Sequence, residues 1–242
     1  MRHHEAGVRV ATRDDPRAVE RLRASVRDLF GLKWWPAFEA AARDHAWLRP
    51  GAILPSETEI ARVVDKTLPK ETALFRHAAH WPAIRATGAK NVWSAGCATG
   101  EEAFSIALVL PGARILATDV AATAIRVAEE GVVRRQQLEK LSPAERRLFK
   151  SDGPIAAEVL SRIEFRVHNL VRDDYATGFD LIVCRNVLVY MEPDHKLRVV
   201  EQFVGALAPS GLLLLGSVDR IPIDDVGLKR DERNGVVFLR RP

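Results

Sequence analysis

Cysteine is scarce in this chain: only Cys97 and Cys184 occur among 242 residues, each inside an apolar run. A disulfide-built secreted scaffold carries many cysteines at regular spacing, so that class is excluded and both are read as reduced thiols. The opening residues Met1-Arg2-His3-His4-Glu5 lead into charged sequence, so no signal peptide is expected. Apolar runs long enough to span a bilayer are also missing, and no membrane insertion is expected. No block of Lys and Arg interleaved with aromatics appears, so nucleic acid is not an expected partner. Internal repeats and low-complexity segments are absent too. The expectation is a cytoplasmic, soluble, monomeric protein.

What is present fits an ordinary globular chain, 47% hydrophobic and 28% charged, long enough for one full core and a small appendage. Thirty-six Lys and Arg against thirty-two Asp and Glu give a net charge of +4. That small excess favours an acidic partner, and acidic protein helices would satisfy it.

Residues 1–68 are expected to form an N-terminal helical domain. Val19, Leu22, Val26, Leu29 and Phe30 share one helical face, Gly31 closes that helix, and Pro50-Gly51 marks a turn before the helix at Glu57–Val64. From about Ala89 short β-type runs alternate with helical ones: Asn91–Ala95, Glu101–Leu110, Arg114–Ala117 and Ala122–Glu130. Further strands are expected at Ile163–Val167, Leu181–Cys184, Leu212–Leu215 and Val236–Leu239, with a helix at Pro193–Leu207. Such alternation predicts an α/β fold, a mostly parallel sheet covered on both faces, with one of the last strands antiparallel. Between Gly131 and Arg162 lies a helix-rich excursion in which Ser142-Pro143-Ala144-Glu145 reads as a capping box.

The chemistry concentrates in Asn91-Val92-Trp93-Ser94-Ala95-Gly96-Cys97-Ala98-Thr99-Gly100-Glu101-Glu102, a strand, a glycine-bracketed turn and a helix start. Glycines let the backbone turn tightly and approach a ligand. Asp119 ends the next strand, about twenty residues on, where a carboxylate accepts hydrogen bonds from ribose hydroxyls. The pair points to adenosine. A dinucleotide pyrophosphate requires bare glycines at a positive helix terminus, whereas Glu101 and Glu102 would repel it. The same acids suit the ammonium and sulfonium-bearing portion of S-adenosylmethionine. A class I methyltransferase domain is therefore expected over residues 69–242, and resemblance to that class implies a Rossmann-like sheet of seven strands, one of them antiparallel. One of the two acids is expected to touch the ligand, Glu102 being favoured, although acids in a first helical turn also serve the macrodipole.

Four blocks resemble the CheR-type chemotaxis protein-glutamate O-methyltransferases: Lys70-Glu71-Thr72-Ala73-Leu74-Phe75-Arg76, the Trp93–Glu102 turn, Ala117-Thr118-Asp119-Val120, and Phe179-Asp180-Leu181-Ile182-Val183-Cys184-Arg185-Asn186-Val187-Leu188-Val189-Tyr190. The resemblance covers roughly residues 68–220. It implies that Thr72, Arg76, Gly96, Glu101, Glu102, Asp119, Val120, Asn169, Leu170, Arg185 and Asn186 form the S-adenosylmethionine site, with S-adenosylhomocysteine as product. Arg76 and Tyr190 would neighbour the reacting methyl group. A glutamate of a chemoreceptor cytoplasmic helix, or of another acidic signalling protein, would be the acceptor. Two departures stand out. Lys70 replaces the family's usual asparagine, removing one polar contact to the cofactor, and residues 150–162 are too short for the β-hairpin subdomain that some members use to grip a receptor tail.

Other residues take plainer readings. His77 and His80 lack a third ligand, so no metal site is expected; Cys97 is a small apolar filler, His168 a strand-end residue, and Trp34 and Trp35 packing residues of the N-terminal helices. Two competing functions remain open: a nucleic-acid methyltransferase of the same fold, and a regulatory protein that binds the cofactor without transferring its methyl group.

Overall fold

The computed structural model describes residues 14–146, 155–222 and 227–241. Three helices come first, α1 (Pro16–Phe30), α2 (Pro36–Asp44) and α3 (Glu57–Thr67). Asp15 caps α1 by accepting the Arg17 N–H at 3.0 Å, and Gly31, at φ 65°, ends it with its N–H on the Arg27 carbonyl. A side chain at that left-handed position is disfavoured, which is why the helix stops there. Ser56 and Glu59 form a reciprocal capping box on α3.

A further helix, α4 (His80–Thr87), leads into the sheet. Its strands are β1 (Asn91–Ala95), β2 (Arg114–Asp119), β3 (Ile163–Val167), β4 (Phe179–Cys184), β5 (Leu207–Leu215), β6 (Lys229–Arg233) and β7 (Val236–Arg240). They run in the order β3-β2-β1-β4-β5-β7-β6. The first five are parallel and β7 is antiparallel to both its neighbours. The connections include α5 (Glu101–Val109), α6 (Ala122–Glu129), three short helices α7 (Arg135–Leu138), α8 (Pro143–Arg146) and α9 (Ala157–Leu160), and α10 (Pro193–Ala206). Of the insertion expected to be short, residues 150–154 lie outside the described residues, and its second half carries the single turn of α9.

The central strands are apolar throughout because both faces are covered. Along β4, Leu181 and Val183 join the core beneath α4 and α5, while Ile182 and Cys184 join the core beneath α1, α2, α3 and α10. Trp93 does the same on β1. It packs against Phe179, Tyr175, Phe203 and His168 in the same core that holds Leu22, Phe38 and Ile60 of the N-terminal helices. The described N-terminal helices thus share a core with one face of the sheet.

Two departures from expectation have local causes. Strand β5 starts five residues early, running through Pro209-Ser210-Gly211, with a register shift between Phe179 and Leu181. A Cβ at Gly211 would lie 2.5 Å from the Phe179 carbonyl oxygen, so only glycine lets the two strands meet there. The unexpected strand is β6, Lys-Arg-Asp-Glu-Arg, which has no apolar residue to give a period. It is held by its ladder to β7 across the Asn234-Gly235 turn, where both residues have positive φ. That is the hairpin turn such a dipeptide favours.

Candidate cofactor site

Strand order reverses at β1, whose neighbours are β2 on one side and β4 on the other. The helices after β1 and β4 diverge there and leave a crevice at the carboxyl ends of the strands. A cavity of about 360 Å³ occupies it, a size suited to a small-molecule ligand.

Its floor is the Gly96–Gly100 turn. Gly96, Ala98 and Gly100 all have positive φ, and the Gly96 and Cys97 amides donate to the Thr118 carbonyl at 2.7 and 2.9 Å. A Cβ on Gly96 would come within 2.2 Å of Val187 Cγ2, and one on Gly100 within 2.8 Å of Phe104. Asp119 closes the turn from β2: Oδ2 accepts the Ala98 N–H and Oδ1 the Ala121 N–H, each at 2.9 Å. Burial raises its acid above the ordinary carboxylate range, and the two amides oppose that shift.

The two acids of α5 part company. Glu102 lines the cavity, accepting from Ser94 Oγ at 2.7 Å and from Arg185 Nε at 2.8 Å. Glu101 does not line it: its carboxylate accepts from Thr99 Oγ1 at 2.6 Å and from Gln137 Nε2 of α7 at 2.8 Å. Of the two acids named for the cofactor, Glu102 is thus the one that borders the cavity. Successive residues on a helix point about 100° apart, and here that offset aims Glu101 at Thr99 and Gln137 while Glu102 meets Ser94 and Arg185.

Arg185 is a buried hub. Besides Glu102, its Nη1 donates to the Arg76 carbonyl at 2.9 Å and lies 3.3 Å from His80 Nδ1, while its guanidinium sits 5.0 Å above the Trp81 ring. His80 meets a cation and stays neutral; burial, then Arg185 and His77, push it down to about 4. The segment bearing Thr72 and Arg76 has no regular structure. It is pinned by the Phe75 amide, which donates to Ser105 Oγ at 2.9 Å, and by the Phe75 ring against Trp81. Phe75 and His77, at φ 49° and 61°, are left-handed on either side of Arg76, a conformation that such anchoring maintains. Arg76 itself is exposed and reaches the Glu71 carbonyl.

Thr72, Arg76, Gly96, Glu102, Asp119, Val120, Asn169, Leu170, Arg185, Asn186 and Tyr190 all line the cavity. The Asn169 side chain is engaged elsewhere, donating to the Leu29 carbonyl at 2.8 Å and accepting the Val171 N–H. Lys70 also lines the wall, with Nζ on the Asp65 carbonyl and 3.4 Å from its carboxylate. Asp65 in turn accepts from Thr123 N and Oγ1 at the start of α6. Sequence reasoning passed over Phe30, Leu32 and Met191, which border the cavity, and Asp219, which lies buried behind it. His168, read as a strand-end residue, borders it too. For Phe30 no local signal exists, because its place depends on how α1 packs. Asp219 had one: an acid four residues past the strand end at Leu215.

Residues 70–233 match the family described as CheR methyltransferase, SAM binding domain. Chemotaxis protein methyltransferases are similar to this chain: that of Listeria innocua at 35% identity, covering 62% of this chain and 65% of that protein; that of Escherichia coli at 33%, covering 60% and 59%. That of Salmonella typhimurium is 30% identical over 83% of this chain and 73% of its own length. The chain spans less than two thirds of the Listeria and Escherichia proteins.

Proposed function

This chain belongs to the CheR methyltransferase family through the S-adenosylmethionine-binding domain, and from that premise we propose that it transfers a methyl group from S-adenosylmethionine to a glutamate carboxylate of a chemoreceptor or another signalling protein. The observation that carries the reading is the cavity at the carboxyl ends of β1, β2 and β4, floored by the Gly96–Gly100 turn and walled by Asp119 and Glu102. These residues fit the group: the turn has no room for side chains at Gly96 or Gly100, and both acids border the cavity, where they would meet a ligand rich in hydroxyls and positive charge. When bound, the cofactor supplies a methyl group on a cationic sulfur.

Asp119 keeps lone pairs free on both oxygens for ribose hydroxyls. Glu102 offers negative charge on the methionine side, its position held by Ser94 and Arg185. The acceptor carboxylate is already ionised at neutral pH, with an ordinary pKa of about 4.3, so no side chain is needed to remove a proton. Arg76 orients that carboxylate and the Tyr190 hydroxyl steadies its oxygen. The protein's contribution is alignment and exclusion of water around two opposite charges. In this reading the acting unit is a monomer, and its small positive charge favours an acidic helix as partner. No described helix is long and apolar enough to cross a membrane.

Incubating the protein with methyl-labelled S-adenosylmethionine and a chemoreceptor cytoplasmic fragment, followed by mild alkali, should release labelled methanol from the ester. Label that resists alkali would move the acceptor to nitrogen or carbon. Cofactor binding without transfer to any acidic protein would make this a regulatory member of the family.

A further inference from the structure

Asp219 lies four residues past the end of β5 and is only 2% exposed. Its carboxylate accepts three main-chain N–H groups: Oδ2 takes those of Asn186 and Gly216, the latter at 3.2 Å, and Oδ1 takes that of Val189 at 2.9 Å. Its own N–H donates to the Gly216 carbonyl. Among the described residues it makes no ion pair within 4.0 Å. Burial pushes its acid up, and the three amides hold the ionised form.

What those amides belong to is informative. Asn186 sits at φ 61°, a left-handed position that asparagine tolerates better than most side chains, and its amide is fixed there by Asp219. Val187, between the two bonded amides, presses on Gly96 across the cavity floor. Tyr190 follows in a single 3-10 turn, Leu188–Tyr190. From the opposite side, the Tyr190 carbonyl accepts the Lys33 N–H at 2.9 Å, and Glu192 N–H donates to Gly31. The cavity wall from Asn186 to Tyr190 is thus gripped by Asp219 on one flank and by the end of α1 on the other. Gly216 completes the socket: a Cβ there would lie 2.5 Å from Asp219 Oδ2 and 2.8 Å from the Asn186 amide.

We propose that Asp219 is a positioning residue for the cofactor wall, holding the Asn186–Tyr190 segment in its binding conformation through main-chain amides without touching the ligand. This rests on the cavity being the S-adenosylmethionine site. An amide nitrogen in place of one carboxylate oxygen would face a main-chain N–H, so Asp219→Asn should release the segment while nearly conserving volume. Gly216→Ala attacks the same socket from its other side.

The test is calorimetric titration of the full chain and its variants with S-adenosylhomocysteine, alongside the thermal unfolding midpoint of each without ligand. Arg241→Ala is the control for stability alone. Its guanidinium caps the end of α10 at the carbonyls of Val204, Gly205 and Leu207, away from the cavity lining. Asp219→Asn and Gly216→Ala should each weaken binding at least tenfold, whereas Arg241→Ala should lower the midpoint and leave affinity unchanged. Wild-type affinity in a folded Asp219→Asn protein would overturn the proposal, as would failure of both socket variants to fold, since the carboxylate would then be holding the fold instead of the pocket. A wild-type protein that binds no S-adenosylhomocysteine at all would instead remove the cofactor reading itself.

Discussion

Arg76 is exposed, its main chain is pinned by Arg185, and its guanidinium donates to the neighbouring Glu71 carbonyl. Removing its side chain should therefore leave the fold intact. Arg76→Ala is expected to lower methyl transfer at least tenfold, about 1.4 kcal/mol of transition-state stabilisation, with an unchanged unfolding midpoint; unaltered turnover would remove Arg76 from the site. His80 gives a pH signature. In the unfolded chain its imidazole takes up a proton near the ordinary 6.5, but in the fold it resists protonation down to about 4. The unfolded state thus binds more protons between those values, and stability falls as pH drops through that window. It is fully present above about 6.5. Urea denaturation at pH 5 and pH 7 should show a gap that narrows in His80→Gln; an equal gap in both proteins would assign the dependence elsewhere. That Asp119 and Glu102 would border one cavity was legible from residue type and spacing, because a strand-end acid and a glycine turn are local features. That Glu101 turns toward Gln137 was not, since its partner arrives from a helix 36 residues away.

Among the elements, α5 matters most, because it carries Glu102 into the cavity wall. The carbonyls at and beyond its end, those of Ala107, Leu110 and Ala113, are satisfied by the Arg162 guanidinium at 2.7, 3.1 and 3.2 Å. Helix ends leave such carbonyls without intrahelical partners. Arg162→Ala should cost about 2 kcal/mol, since hydrogen bonds to a charged donor are lost at a partly buried site. That corresponds to a fall of roughly 4–8 °C in the unfolding midpoint, with cofactor affinity within twofold of wild type; a midpoint unchanged in a thermal scan would show that water serves those carbonyls equally well. Sequence periodicity located β1 and β3 to the residue, because alternation of strands with helices and the flanking turn residues mark their ends. It missed β6, whose five charged residues are placed by main-chain hydrogen bonds and by the Asn234-Gly235 turn. The turn was the available signal. Charge along such an edge also discourages pairing with another sheet.

At the scale of the molecule, the cavity belongs to both parts of the chain: Phe30 and Leu32 border it from the N-terminal helices, and Asn169 of the sheet side donates to Leu29. The shared core around Trp93 makes the same connection. Ligand binding should consequently stabilise the whole described structure as one unit. At S-adenosylhomocysteine concentrations a hundredfold above its dissociation constant, the stabilisation is about 2.7 kcal/mol, a rise of roughly 5–10 °C. Far-UV circular dichroism and tryptophan fluorescence should record that rise at one coincident midpoint. Two separate transitions, only one of them ligand-dependent, would mean that the N-terminal helices unfold on their own.

Residue order by itself determined the alternating α/β architecture, the glycine turn with its acids, and the resemblance that pointed to a methylated carboxylate, because each depends on groups close together along the chain. Only the tertiary structure decided that Glu102 and not Glu101 faces the cavity, that Arg185 is spent on Glu102, Arg76 and His80, and that Asp219 grips the wall beside β4. Those partners lie tens of residues apart, and their pairing is set by strand order and by the need of each buried polar group for a hydrogen-bonding partner.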